Sequence, residues 1–353
     1  MAETMRAAVY RGIDRVEVER VPIPQIGPQE ALVRVAVCGV CGTDLKKIHL
    51  GLTPPPRIFG HETAGTIAAV GAEVTDWRVG ERVVLNHHVP CLRPNCFYCS
   101  RKAFAQCPVY KRTGTTAGFE PAGGGFAEYV RVMDWCAVGG MVKIPDGVSF
   151  EEASFVEPLN TCLKGIRTAG VREGDTVFVI GQGPIGLLFT LLAKAAGARV
   201  VTTDRFPARR EVSLQLGADA ALDPDTDDVL PTIQALSEGR GADLAIVAVP
   251  STAVVAGAFA AVRQAGSVLL FAQTRLNDPL TVDAGAICMQ EKTLLGSYSS
   301  DITLQAEAAE LIFSRRVDVR PLITHRFPLD AIADAIDLAS HPRDNSLKVL
   351  VMP

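Results

Sequence analysis

The segment that most limits what this chain can fold into is Gly181-Gln182-Gly183-Pro184-Ile185-Gly186, which follows an unbroken apolar run, Thr176–Ile180, and precedes a helix-like run from Ile185 to Ala196. A G-x-G-x-x-G sequence alone is a weak signal, but between a buried strand and a helix it reads as the turn of a βαβ unit. The glycines let backbone amides at the helix start approach a pyrophosphate, where the helix dipole favours negative charge. Asp204 stands 18 residues beyond Gly186, at the end of the next apolar run, Arg199–Thr203. A carboxylate there accepts from a ribose 2′-hydroxyl and repels a 2′-phosphate, so NAD is expected over NADP. Arg205 follows directly and could accommodate a phosphate, which keeps NADP as the alternative. A tight turn without any ligand is the bland reading.

The strand–helix rhythm continues through a helix ending near Leu216, then Leu244–Val249, Ala253–Val262 and Ser267–Phe271. Apolar strands without alternation, separated by helical runs, indicate a parallel sheet covered on both faces. The first 150 residues differ: Met5–Tyr10, Val16–Val21, Ala31–Val37, Thr63–Val70, Arg82–Leu85 and Phe126–Val132 are short β-rich runs punctuated by Gly and Pro. That pattern predicts a distorted barrel or partly open sandwich. After Lys292 the pattern is mixed, with helices expected at Leu304–Phe313 and Leu329–Leu338 and a last strand at Leu347–Val351. At 353 residues two cores are expected. A β-rich start and a mixed tail suggest one discontinuous domain, 1–157 plus 298–353, with an α/β domain, 158–297, inserted between its parts.

The net charge of −4 and the scattering of 35 basic residues leave no footprint for nucleic acid or an anionic membrane. The apolar stretch from Thr176 to Ala196 is interrupted by the glycine-rich turn, whereas a spanning helix needs about 20 continuous apolar residues. Met1–Gly12 alternates like a strand, unlike a secretory signal. A soluble cytoplasmic protein is therefore expected, and in that compartment nine cysteines argue for metal binding or catalysis rather than disulfides. Cys91, Cys96, Cys99 and Cys107 supply four thiols within 17 positions. Four thiolates make a closed tetrahedral zinc site, which is structural because no position remains for a substrate.

A second set is sparser. Cys38-Gly-Val-Cys41-Gly-Thr43-Asp44 is followed by a polar linker and then by Gly60-His61-Glu62. A catalytic zinc needs only three protein ligands, so Cys41, His61 and Glu62 are candidates. Against this, a buried cysteine is usually a small hydrophobe, and a His-Glu pair is common by chance.

Taken in order, Cys41-Gly-Thr43-Asp44, Gly60-His61-Glu62 with Gly65 and Gly71, the four-cysteine lobe, Glu157-Pro158, and Gly181–Gly186 with Asp204 closely resemble the zinc-dependent medium-chain dehydrogenase/reductase family, the alcohol dehydrogenase superfamily. The resemblance covers essentially the whole chain. Val156-Glu157-Pro158-Leu159 is similar to the polyol and sorbitol dehydrogenase branch, or to relatives acting on threonine and butanediol. The resemblance implies an α/β fold in which a GroES-like β-rich catalytic domain carries an inserted Rossmann domain. It also implies two zinc ions per chain and NAD. Cys41 and His61 would hold the catalytic zinc, with Glu62 a ligand in polyol dehydrogenases and Glu157 completing the site directly or through water. Thr43 would take the alcohol proton, and Asp44 would orient His61. Gly181, Gly183, Pro184, Ile185, Gly186, Asp204, Arg205 and Arg209 would line the cofactor, with Arg209 beside the adenine.

This chain departs from the family pattern in three places. The first gap in the cysteine lobe is four residues rather than the usual two. Lys46 and Lys47 stand where many relatives have a histidine that extends the proton relay; exposure on a polar linker is their plainer explanation. Cys162 lies five residues past Glu157 and would be a ligand in a shifted register.

The reaction implied is oxidation of a secondary hydroxyl, of a polyol or sugar first, to a ketone with hydride transfer to NAD. Threonine or a phosphorylated sugar is the alternative substrate, and a non-catalytic NAD(H)-binding protein the alternative class. The partners expected are a small-molecule alcohol and further copies of the chain, as homodimer or homotetramer through the Gly266–Ala272 region. The loop Val109–Gly125 is expected to border the substrate cleft.

Overall fold

The structure is a computed structural model that describes residues 3–86, 89–110, 123–133, 139–272, 278–343 and 345–353. Most of the loop expected to border the substrate, residues 111–122, lies outside the described residues. The chain divides into two compact units, Met1–Asn160 with Ser300–Pro353, and Thr161–Ser299. No helix among the described residues is long and apolar enough to cross a membrane.

The amino-terminal part of the first unit contributes β1 (Thr4–Gly12), β2 (Arg15–Pro22), β3 (Ala31–Gly39), β4 (Arg57–Ile58), β5 (Glu62–Val70), β6 (Arg82–Leu85), β7 (Tyr129–Val132) and β8 (Met141–Lys143). Helix α1 spans Gly42–Leu50, α2 Phe150–Ala153 and α3 Val156–Ala169. The second unit contains β9 (Thr176–Ile180), β10 (Arg199–Thr203), β11 (Ala220–Leu222), β12 (Ala242–Val247), β13 (Val262–Leu270) and β14 (Thr293–Gly296). Its helices are α4 (Pro184–Ala195), α5 (Pro207–Gln215), α6 (Val229–Leu236), α7 (Val255–Ala261) and α8 (Ala284–Met289). The chain then returns to the first unit with α9 (Gln305–Phe313), β15 (Ile323–Pro328), α10 (Ile332–Ser340) and β16 (Lys348–Met352).

In the second unit the six strands order as β11-β10-β9-β12-β13-β14, all parallel. All five residues of β9 are buried, which is why its sequence is apolar without alternation. In the first unit the order β15-β16-β3-β5-β6-β8, with β7 also paired to β3, puts β3 against both β5 and β16. Both ladders are antiparallel. A smaller sheet, β2-β1-β4, shares its core: Met5, Val9 and Tyr10 of β1 cluster with Val33 and Val35 of β3 and Val349 and Val351 of β16.

One element corrects the sequence reading and another was not read from it. The stretch after Cys41 is a helix rather than a polar linker. Gly42 and Thr43 are weak helix formers, and of the three apolar residues, Leu45, Ile48 and Leu50, only Ile48 is buried, so periodicity is faint. The helix is set instead by its ends and by packing: Asp44 accepts the Cys41 N–H at 3.2 Å, Gly51 closes the helix at φ 61°, Ile48 is buried, and α1 packs on α10. Lys46 and Lys47 are accordingly half-buried rather than exposed. Helix α3 begins across the Val156-Glu157-Pro158 segment, where the proline is tolerated because first-turn amides lack intrahelical acceptors.

A buried ion pair ties the start of β3 to β7. Arg131 donates through Nε to Glu30 Oε2 at 2.7 Å and through Nη2 to Oε1 at 2.8 Å, while the Gly27 N–H donates to Oε2. Burial pushes the Glu30 carboxyl up, but these donors outweigh it and hold it below its ordinary value. Such a group adds stability above its unfolded-state pKa of about 4.3, and that contribution disappears as pH falls through the lower folded-state value. Arg131→Met should therefore cost about 2 kcal/mol at pH 7, less than the roughly 3–5 of a fully buried pair because Arg131 keeps some solvent contact. Denaturant melts should show the deficit shrinking at acidic pH; a deficit independent of pH would contradict this.

Candidate functional site

The end of β3 organises the first site. Gly39 pairs with Glu62 of β5 on one side and with Leu350 of β16 on the other. Carried one or two residues further, these registers set His61 beside Val40 and Lys348 beside Cys41, and the Val40 N–H does donate to the Val349 carbonyl at 2.9 Å. The side chains of Glu62 and Lys348 meet because residue 39 is glycine: a Cβ there would run into the Glu62 carboxylate.

Asp44, fully buried on the first turn of α1, holds both neighbours of the site. Its Oδ2 accepts the Cys41 N–H, and its Oδ1 accepts the Gly60 N–H at 3.4 Å and faces His61 Nδ1 at 3.2 Å. A proton on Nδ1 shared with Asp44 leaves the Nε2 lone pair for a metal. Cys41, His61 and Glu62 each offer one ligand atom, and these atoms lie within 4.8 Å of one another.

Two observations fit a zinc ion here. The donors are one sulfur, one imidazole and one carboxylate, the set that zinc prefers. Glu62 Oε1 is buried and accepts no hydrogen bond among the described residues, while its carboxylate pairs with Lys348. Burial acts to lower the His61 pKa, yet Asp44 and Cys41 outweigh it and raise it well above its ordinary value. Glu157 is buried beside this group without belonging to the 4.8 Å set. Burial raises its carboxyl to about 7; His61 and Lys348 pull it down, and Glu62 and Asp44 push it further up.

Lys46 and Lys47 lie on α1, and burial lowers both below their ordinary value. Lys47 sits 6.0 Å from the Phe59 ring centre and is coupled to Asp44. Cys162 lies in the second unit, where its Sγ faces the Ile185 carbonyl at 3.9 Å.

The four-cysteine lobe is equally definite. Sulfurs of Cys91, Cys96, Cys99 and Cys107 gather within 4.8 Å, and Cys91 Sγ lies 3.8 Å from Cys99 Sγ. All four are free of disulfides. Burial pushes the Cys107 thiol up, but the backbone amides of Cys91, Tyr110 and Val109 bring it down to about 6. Amides aimed at a sulfur stabilise the thiolate that zinc requires. The long first gap is absorbed locally: Leu92 turns into the left-handed region at φ 51°, and the Cys96 N–H donates to the Arg93 carbonyl at 3.0 Å.

In the second unit, Gly183 caps α4 and Pro184 opens it. Gly186 is obligatory, since a Cβ would strike the Gly181 carbonyl. Asp204 is held by two backbone donors, Gln182 N–H to Oδ2 at 2.7 Å and Phe206 N–H to Oδ1 at 2.8 Å. Arg209 stacks over Phe206 at 4.8 Å and stands 3.8 Å from Asp204. Arg205 points elsewhere, to Asp225 at 2.9 Å.

These features agree with what comparison with known proteins shows. The alcohol dehydrogenase GroES-like domain family matches residues 27–146, and the zinc-binding dehydrogenase family matches residues 184–314. A sorbitol dehydrogenase of Bacillus subtilis is 31% identical over 99% of this chain and 98% of its own length. Among solved structures, a zinc-binding dehydrogenase from Sinorhizobium meliloti bound to NADP superposes with a TM-score of 0.90 at 29% identity, covering 99% of this chain and 100% of the other. An alcohol dehydrogenase from Escherichia coli complexed with NADH does so with 0.88 at 27% identity over 100% of both chains. The chain belongs to the zinc-dependent medium-chain dehydrogenase/reductase family and is an oxidoreductase of its alcohol and polyol dehydrogenase group.

Two residues of the site escaped the sequence reading. Lys348 stands alone in the apolar run Leu347–Val351, and an ionisable residue in a buried strand was the available signal. Gly39 gave none, because its role depends on what crosses it from β5 and β16.

Cys96→Ser should abolish zinc uptake by the lobe, leaving one ion equivalent per chain by metal analysis, and should lower the melting temperature. Unchanged thermal stability with that zinc lost would contradict a structural role.

Proposed function

We propose that this protein oxidises a secondary hydroxyl of a polyol or sugar to the ketone, with NAD as hydride acceptor, at a zinc held by Cys41, His61 and Glu62. The observation that carries this is the convergence of those three ligand atoms within 4.8 Å, braced by buried Asp44. Bound there, zinc supplies Lewis acidity that makes the alkoxide accessible near neutral pH. Asp44 keeps Cys41 and His61 in place through its backbone and ring contacts. Thr43, exposed on the first turn of α1 two residues past Cys41, relays the substrate's hydroxyl proton, its oxygen accepting that proton as its own passes outward toward solvent. Glu157 acts as the adjacent carboxylate that completes the site, directly or through water.

In this reading the first unit, close to 1–157 plus 298–353, is catalytic, and the second, 158–297, binds the dinucleotide. Gly181, Gly183, Pro184, Ile185 and Gly186 receive the pyrophosphate, Asp204 the adenosine ribose, and Arg209 the adenine side. The Asp204 carboxylate, buried and fixed by two backbone amides, supports NAD over NADP, because it accepts from a ribose hydroxyl and repels a phosphate. Lys47, packed near Phe59 and Asp44, acts as a structural cation, which supports an uncharged substrate over a sugar phosphate. Zinc in the Cys91, Cys96, Cys99 and Cys107 lobe is structural.

The cytoplasm suits the reduced cysteines of both sites. Self-association through the exposed edge of β14, as dimer or tetramer, is consistent with exposed Met289 and Leu294.

The test is NADH formation from NAD with polyols, sugars, simple secondary alcohols and threonine, repeated with NADP. Turnover of polyols or sugars with NAD is expected; tighter binding of NADPH than NADH would overturn the cofactor assignment. Cys41→Ser should abolish turnover while NADH binding survives, and Thr43→Val should slow it by roughly 10² to 10⁴. Full activity in a folded protein freed of metal would refute the mechanism.

A further inference from the structure

Helix α3 brings Glu157 to the first site, yet its first turn is weakly held from within. The amides of a helix's first turn have no intrahelical acceptor, and Pro158 has no amide at all. Three residues past Glu157, the fully buried side chain of Asn160 supplies another tie. It exchanges two hydrogen bonds with the backbone of Asp301: the Asp301 N–H donates to Oδ1 at 2.9 Å, and Nδ2 donates to the Asp301 carbonyl at 3.0 Å. Nδ2 also donates to Gln305 Oε1 at 2.9 Å. The Asp301 backbone is itself fixed, because its carboxylate accepts from the Thr303 N–H at 2.9 Å and from the Thr303 hydroxyl at 2.7 Å.

The tie continues to the sheet that carries the site. Gln305 Oε1 also accepts from Asn86 Nδ2 at 3.2 Å, and Asn86 directly follows β6. Leu85, the last residue of β6, pairs with Thr63 of β5, the residue after Glu62. Asn86 is anchored in turn, its N–H donating to the Gly140 carbonyl at 2.6 Å. Asn160, Gln305 and Asn86 are all buried and all belong to the first unit. Apolar packing alone leaves a helix free to turn slightly about its axis, whereas a buried amide with both donors engaged fixes one orientation. Residues three apart share a helix face, so the orientation set at Asn160 is passed to Glu157.

We propose that Asn160 is a positioning residue that holds the Glu157 carboxylate in register with His61 and Glu62. The inference rests on the reading of Glu157 as the carboxylate adjacent to the zinc position and deepens it. Asn160 acts through the helix and not on the reacting atoms. A residue that only stabilises the fold adds its effect to that of any other change, whereas the effect of a positioning residue vanishes once the group it positions is gone.

The experiment is a double-variant cycle with two readouts. One is the visible spectrum of the cobalt-substituted protein, taken as a difference against Cys41→Ser; the other is kcat of the zinc protein with the alcohol turned over fastest in the panel above. Asn160→Ala should lower kcat about 10-fold, within the usual scale for residues that orient a site group. It should also shift the cobalt bands in the sense that Glu157→Gln shifts them, while NADH affinity holds. With Glu157→Gln already in place, adding Asn160→Ala should change kcat by less than about 2-fold and leave the bands where they are. If Asn160→Ala does not fold, Gln305→Leu, which removes the acceptor shared by Asn160 and Asn86, should give a smaller fall with the same dependence on Glu157. Wild-type kcat and bands in Asn160→Ala would overturn the proposal, as would an equal loss in both backgrounds. Wild-type behaviour in Glu157→Gln would overturn the reading of Glu157, and a wild-type protein with no Cys41-dependent cobalt spectrum the zinc reading; either takes the proposal with it.

Discussion

The structure of the first unit's site depends on one buried carboxylate. Asp44 accepts from the Cys41 amide, from the Gly60 amide and from the His61 ring, so a single side chain sets the helix start, the strand approach and the imidazole tautomer. Its own charge survives burial because His61 and Lys47 outweigh the desolvation that would raise its pKa. Burial would push His61 and Lys348 toward their neutral forms, but their acidic neighbours raise both above their ordinary values. A divalent ion held by Cys41, His61 and Glu62 would bind with release of protons from its ligands.

Much of this was legible in the residues. Four of the six parallel strands, β9, β10, β12 and β13, follow from apolar runs separated by helical ones, while the short β11 and β14 were not read; β6, β9 and β10 coincide with the segments read from the sequence. The two clusters of donor side chains, Cys41 with His61 and Glu62 and the four cysteines of the lobe, were readable because zinc chemistry admits few side chains. What stayed hidden was tertiary. Helix α1 shows little periodicity because capping by Asp44 and packing on α10 replace it. The start of α3 was masked by Pro158. The Lys348–Glu62 pair joins residues 286 positions apart in the chain, and only the shared pairing of β5 and β16 with β3 brings them together.

The second unit shows how a weak motif becomes a definite one. The glycine pattern matters less than the two backbone amides that fix Asp204, one from the glycine-rich turn and one from the start of α5. These bonds make the carboxylate's orientation a property of the backbone. Arg209, not Arg205, is the guanidinium standing near it, although Arg205 is its neighbour in sequence.

The return of the chain to the first unit has a consequence for how the protein is made. Strand β16 lies between β15 and β3, yet it is synthesised only after all of Thr161–Ser299. The second unit has a continuous sequence and its own core, so it can fold while the chain is still growing. The first unit must wait with the Cys38–Gly39 end of β3 uncovered on one edge and Glu62 lacking its counter-charge. During that interval its exposed strand edge is the part of the nascent protein most in need of protection from aggregation.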